Sequence, residues 1–180
     1  MTEPDALFCR LDQRNRIVGV GGAWDRFALD NDGAAVVAAR VLGTDLFVHV
    51  GGEPTRALLD TVLWRVRHAG RSVVLPFRCD SPDRERHMEM TVEPEPGEGI
   101  LLAYRLLRTV PLPLAAPLRF SASGVPRGRM LFRCSTCNRL LRDGVWCEAA
   151  TLDDLPAIPI AVSYGVCGEC RDMVERLLPN

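Results

Sequence analysis

Residues 51–82 read GGEPTRALLDTVLWRVRHAGRSVVLPFRCDSP. Leu58, Leu59, Val62, Leu63 and Val66 recur there at helical spacing, while Arg56, Asp60, Arg65 and Arg67 fall mostly on the opposite side. Pro54 suits the first turn, where a missing N–H costs nothing, and Gly70 is placed to stop the helix. This helix is predicted to lie against a sheet. The residues that follow supply a strand, because Val73, Leu75, Phe77 and Cys79 alternate on one face. Pro76 points to the other face and suits an edge or a bulge.

Working outward, Leu7 to Leu11 and Ile17 to Val20 read as two strands joined by a tight turn at Gln13 to Asn15. Ala23 to Leu29 places Trp24, Phe27 and Ala28 at helical spacing, and Asp30-Asn31-Asp32-Gly33 stops it. Downstream, Met88 to Val92 and Ile100 to Leu106 read as strands. The links Asp80-Ser81-Pro82-Asp83 and Pro94-Glu95-Pro96-Gly97 carry turn chemistry, so Val73 to Cys79 and these two strands are expected to form an antiparallel meander.

This order resembles the PAS domain over Ala6 to about Leu107. The residues that carry the resemblance are the opening hairpin, Trp24 to Phe27, the VLGTDLF segment from Val41 to Phe47, and the helix leading into RSVVLPFRCDSP. The resemblance implies an α+β fold, a five-stranded antiparallel sheet with helices on one face and a pocket between them. It also implies sensing of a small-molecule ligand or a protein partner, and a homodimer formed through the sheet.

The segment TVPLPLAAPLRFSASGVPRG, 109–128, holds four of the chain's 13 prolines and reads as an extended, semi-stiff linker. It divides the chain into a sensory domain, 1–108, and a second module, 129–180.

That module carries two Cys-x-x-Cys pairs, Cys134 with Cys137 and Cys167 with Cys170. Four thiolates so spaced fit one tetrahedral Zn²⁺ at about 2.3 Å, and a site filled by sulfur is structural, with no position left for water or substrate. A redox-active dithiol, or disulfides in an exported protein, are the other readings. The start MTEPDALF shows no secretory pattern, which favours the cytoplasm and reduced thiols. Cys9, Cys79 and Cys147 read as small apolar core residues. Asp143-Gly144 signals a hairpin, and Cys170, Met173, Val174 and Leu177 recur at helical intervals, so the second pair is expected at a helix N-terminus. A knuckle, a hairpin and a helix-opening pair make a treble-clef-like module. Its size is too small for a self-sufficient core, so metal is expected to be required for its fold.

RCSTC, DGVW and SYGVCGEC resemble a C-terminal extension found on some bacterial sensory and response-regulator proteins, which ends Ser-His-Gly-Ile-Cys-x-x-Cys. The resemblance implies roles for the four cysteines and Trp146 by position; Tyr164 stands where the pattern has histidine, so nothing attached to that histidine carries over.

With 47% hydrophobic and 25% charged residues the chain reads as globular. A net charge of -1 and a pI near 6.3 give no general attraction for nucleic acid, and no apolar run approaches the ~20 residues of a membrane span. All 22 cationic residues are arginine. Arg119, Arg127, Arg129, Arg133, Arg139 and Arg142 form a local basic surplus that could meet phosphates, interrupted by Glu148, Asp153 and Asp154. Arg78, Arg84 and Arg86 beside Asp80 and Asp83 read as a solvated ion-pair surface, the alternative being an anion site. Of His49, His68 and His87 only His68 is placed to hold a haem, and a role at the helix C-terminus suits it better. Trp24, Phe27, Phe47, Trp64 and Phe77 read as core, with a ligand pocket as the alternative.

No nucleophile, base and orienter trio, phosphate-cradling loop or open metal site is evident. The expectation is therefore a non-enzymatic bacterial signalling or regulatory protein whose zinc module supports protein contacts. A zinc-dependent DNA-binding transcriptional regulator and a thiol redox sensor are the competing readings.

Overall fold

Alternation along five strands and one buried helical face build the larger core of this computed structural model, which describes residues 7–31, 33–81, 84–112, 118–120, 131–151 and 160–179. Strands β1 (Leu7–Leu11) and β2 (Ile17–Gly21) form the opening hairpin. At its turn the Asp12 carboxylate accepts from the backbone N–H groups of Arg14 and Arg16, and Asn15 takes a φ of 60°. The short helices α1 (Trp24–Leu29) and α2 (Ala38–Val41) precede the long helix α3 (Glu53–Ala69), which Gly70 ends in the left-handed conformation with φ 62°. Strands β3 (Val73–Arg78), β4 (Arg84–Glu95) and β5 (Gly99–Pro111) then form the expected meander.

The sheet is antiparallel with strand order β2-β1-β5-β4-β3, which makes β3 an edge strand and accommodates Pro76 there. Val62, Leu63 and Val66 of α3 are fully buried against Cys9, Leu11, Leu75, Val92, Ile100 and Leu102 from the sheet. Strands β4 and β5 run further than their apolar pattern predicts. The added length is largely polar, and in it His87 meets Arg108 across the strands and Glu85 on its own strand.

The second half holds a mixed sheet that the sequence reading lacked. It contains β6 (Leu118–Phe120), β7 (Leu131–Cys134), β8 (Leu140–Arg142), β9 (Val145–Cys147) and β10 (Ile160–Gly165), in the order β6-β10-β7-β8-β9. Strand β10 is parallel to both β6 and β7. The hairpin β8–β9 turns on Asp143 and Gly144, both at positive φ (48° and 82°), as the Asp-Gly signal predicts. Helix α4 (Gly168–Leu177) follows β10. Of the segment read as a linker, 109–111 finishes β5 and 118–120 forms β6; 113–117 and 121–128 lie outside the described residues.

The two halves share one core. Val174 of α4 and Leu178 just beyond it belong to the same buried cluster as Val62, Leu63 and Leu75. Among the described residues no helix is long and apolar enough to cross a membrane.

Candidate metal centre

Cys134 closes β7, and the chain reverses at once. The Cys134 N–H donates to the Arg139 carbonyl at 2.8 Å, and the Asn138 N–H donates to the Cys134 carbonyl at 2.9 Å. Asn138 carries the turn at φ 63°, a left-handed conformation that asparagine tolerates better than most residues. The reversal brings the Cys137 thiol back beside Cys134. From the other side Cys167 caps α4, its sulfur accepting from the Cys170 N–H at 3.4 Å, while the Cys167 N–H donates to the Cys134 sulfur at 3.4 Å.

The four sulfurs lie within 4.8 Å of one another, and those of Cys137 and Cys167 are 3.8 Å apart. A tetrahedron with metal–sulfur bonds of about 2.3 Å has edges of about 3.8 Å. All seven cysteines are free thiols, so the pairwise disulfide reading does not describe this fold. Cys134, Cys167 and Cys170 are buried, and Cys137 is partly so. Without a cation, such a cluster carries one negative charge readily and a second only at high cost. Accordingly the Cys134 thiol is held far below its ordinary range by hydrogen bonds from Cys137 and Cys170. Cys137 is pushed up to about 11, and Cys170 higher still, by the hydrogen bond each makes to Cys134. A divalent ion removes that conflict, and the two N–H···S bonds help to hold thiolates. The donor set therefore fits one metal ion.

Val166 is buried with Cys134, Cys167 and Cys170, and Trp146 packs against them. Cys147 stands apart, its thiol facing the Leu140 carbonyl at 3.6 Å, and Cys9 is 1% exposed in the core.

The centre is built into the first sheet. The backbone N–H of Arg78, on edge strand β3, donates to the carbonyl of Thr136 between the first two cysteines at 2.7 Å. The Arg78 guanidinium reaches Asp80 at 2.7 Å, Glu85 at 3.0 Å and Glu148 at 2.8 Å, and Arg139 joins Glu148 at 3.3 Å to Glu169 of α4 at 2.7 Å. Net attraction from Asp80 and Glu148 outweighs burial and raises the affinity of Arg78 for its proton. Sequence alone did not link Glu148 to Arg78, 70 positions away, because nothing local marks such a pair.

The remaining candidates separate. His49 meets the Thr44 hydroxyl, His87 meets Glu85, and His68 stacks on Trp64 with its Nδ1 on the Trp64 carbonyl, the helix-end role expected of it. Arg86 reaches Asn31 and lies over the Phe27 ring, and Arg78 pairs with an Asp80 that is 6% exposed, so the expected solvated ion-pair surface is instead a largely buried cluster. Arg133 faces Asp80 at 3.6 Å and Arg142 faces Asp143 at 3.7 Å. Arg127, Arg129 and Asp83 lie outside the described residues, as do Asp153 and Asp154. Of the five aromatics, Trp24, Phe27 and Phe77 line a cavity of about 300 Å³, Phe47 packs on the core, and Trp64 is 53% exposed. Tyr104 also lines that cavity, and the sequence reading passed over it. Its signal was the single polar tip in the inward row Ile100, Leu102, Tyr104.

The chain matches no protein-family model, and no curated protein is significantly similar to it.

Proposed function

We propose that this is a non-enzymatic bacterial signalling or regulatory protein in which a PAS-like unit, binding a ligand or partner, is coupled to a treble-clef-like module organised by structural zinc. The observation that carries the reading is the bond from the Arg78 N–H to the Thr136 carbonyl. It ties the metal-binding knuckle to the strand residue next to Phe77. Phe77 lines the 300 Å³ cavity, a second of about 160 Å³ that also touches Ser135 and Thr136, and a groove that reaches Cys137 and Cys170. Occupancy on one side of that ring bears directly on the module at the other. Four sulfur ligands fill the coordination of zinc, which supports a structural and not a catalytic ion. The pairing of Arg133, Arg139 and Arg142 with carboxylates favours a protein partner over duplex DNA.

Hydrogen exchange on the zinc-loaded full chain tests the coupling. Chelation is expected to raise exchange at the 134–139 amides and, with them, at the Arg78 amide and along β3. A β3 that is indifferent to metal removal overturns the reading.

A further inference from the structure

The 300 Å³ cavity lies between α1 and the inner faces of β1, β3, β4 and β5, and its walls specify a chemistry. Trp24, Phe27, Phe77, Met88 and Leu7 make it apolar. Among the described residues none that lines it is Arg, His, Asp or Glu, so neither an anion nor a cation would find the counter-charge that its desolvation demands. Two polar groups in the wall are already used. The Trp24 indole N–H donates to the Val36 carbonyl at 2.8 Å, and the Asn31 amide donates to the Phe27 carbonyl at 2.7 Å while its oxygen accepts from Arg86. The Cys79 thiol is kept protonated by burial, which disfavours a thiolate bond to a metal or haem there.

The Tyr104 hydroxyl is different. Its ring meets Phe77 edge to face at 6.2 Å, and among the described residues its oxygen has no hydrogen-bond partner. Burial pushes its phenol well above the ordinary range, so it stays a neutral donor and acceptor. Size completes the description. An apolar cavity of about 150 Å³ holds one benzene ring, so a volume of about 300 Å³ suits two.

We propose that this cavity binds a small neutral aromatic molecule of about two fused rings, carrying one hydrogen-bonding group that pairs with the Tyr104 hydroxyl. The proposal rests on the sensory reading above and names the class of ligand sensed. Trp24, Phe27 and Phe77 supply ring faces and edges for such a ligand, and aromatic pairs of this kind add to simple burial.

Titration calorimetry of the zinc-loaded full chain with 2-naphthol, and with naphthalene-2-sulfonate as a charged probe of similar shape, tests it. Saturable binding of one 2-naphthol per chain is expected, at least about tenfold tighter than the sulfonate. Tyr104→Phe should weaken 2-naphthol about fivefold, the worth of one neutral hydrogen bond. Ala28→Leu, which places extra side-chain volume in the wall, should abolish binding. Loss of saturable binding in the wild type, equal affinity for the sulfonate, or an unchanged affinity in Tyr104→Phe overturns the proposal. If Ala28→Leu does not fold, Tyr104→Phe alone decides. Exchange at the 134–139 amides in saturating 2-naphthol separates the two ideas: unchanged exchange despite binding sinks the coupling to the module and leaves the ligand site standing.

Discussion

A β-carbon placed on Gly52 would stand 2.3 Å from the backbone oxygen of Tyr164. Gly52 also has a φ of 81°, so two independent constraints, one local and one from β10 of the metal module, meet at the residue that opens α3. Gly52→Ala is expected to cost at least about 2 kcal/mol, from left-handed strain plus displacement of β10. Gly70→Ala is the matched control: its φ is 62° but nothing lies within 4 Å, and about 1 kcal/mol is expected. Urea unfolding of both variants checks this, and equal losses would show that the Tyr164 contact contributes nothing.

Metal removal should act on one half first. The metal-loaded chain is expected to carry one zinc ion, and Cys134→Ser or Cys170→Ser should each abolish it by metal analysis. After chelation under reducing conditions, amides of 131–179 should lose protection, and β3 with them through its bond to Thr136, while β4 and β5 keep most of their own, since structural zinc contributes on the order of 10 kcal/mol to a module of this size. Native-like protection of 131–179 without metal would contradict this. Asn138→Gly should hold zinc about as tightly as the wild type and Asn138→Val about tenfold or more weakly, because a β-branched residue pays about 1–3 kcal/mol at a φ of 63°.

Arg78→Met tests the ion cluster. Asp80 has only 6% of its side chain exposed, and among the described residues it would be left with Arg133 at 3.6 Å as its remaining ion-pair partner. A loss of about 3 kcal/mol is expected, as for a buried pair broken from one side. Arg105→Met, which breaks an ion pair whose arginine is 63% exposed, should cost less than about 1 kcal/mol. Similar values for the two would show that Arg78 is solvated.

Cys9 should give stability an alkaline dependence. Burial raises its thiol from 9.0 to about 11, so the folded state holds this proton after the unfolded chain has released it. A raised folded value means that the contribution is complete below about pH 9 and is lost as pH climbs toward about 11, at up to about 1.4 kcal/mol per pH unit. Cys9→Ala is less stable throughout, but its unfolding free energy should fall less steeply across that window. Parallel curves for variant and wild type would refute the assignment.

What could be read from sequence follows the range of the physics involved. Helix α3 was legible because its stripe, Pro54 and Gly70 are local signals, and the cysteine pairs because ligand spacing is itself local. The strand at Ile160–Gly165 was missed: six residues between prolines and a cysteine pair look like loop, and only parallel neighbours β6 and β7 make them a strand. Pro54 marked the start of α3, yet the crossing of β10 over Gly52 is a contact across 112 positions with no local trace. The outer polar lengths of β4 and β5 escaped for the opposite reason, since cross-strand pairing such as His87 opposite Arg108, and not burial, supports them.

Val174 and Leu178 complete a cluster whose other members were laid down more than 70 positions earlier. During synthesis the ribosome therefore delivers α3 and its sheet with Leu58 and Leu59 on an uncovered flank, a tacky surface for chaperones and for neighbouring nascent chains. Premature termination anywhere between β5 and α4 would leave a fragment prone to aggregate, even though every residue of the first sheet had been made.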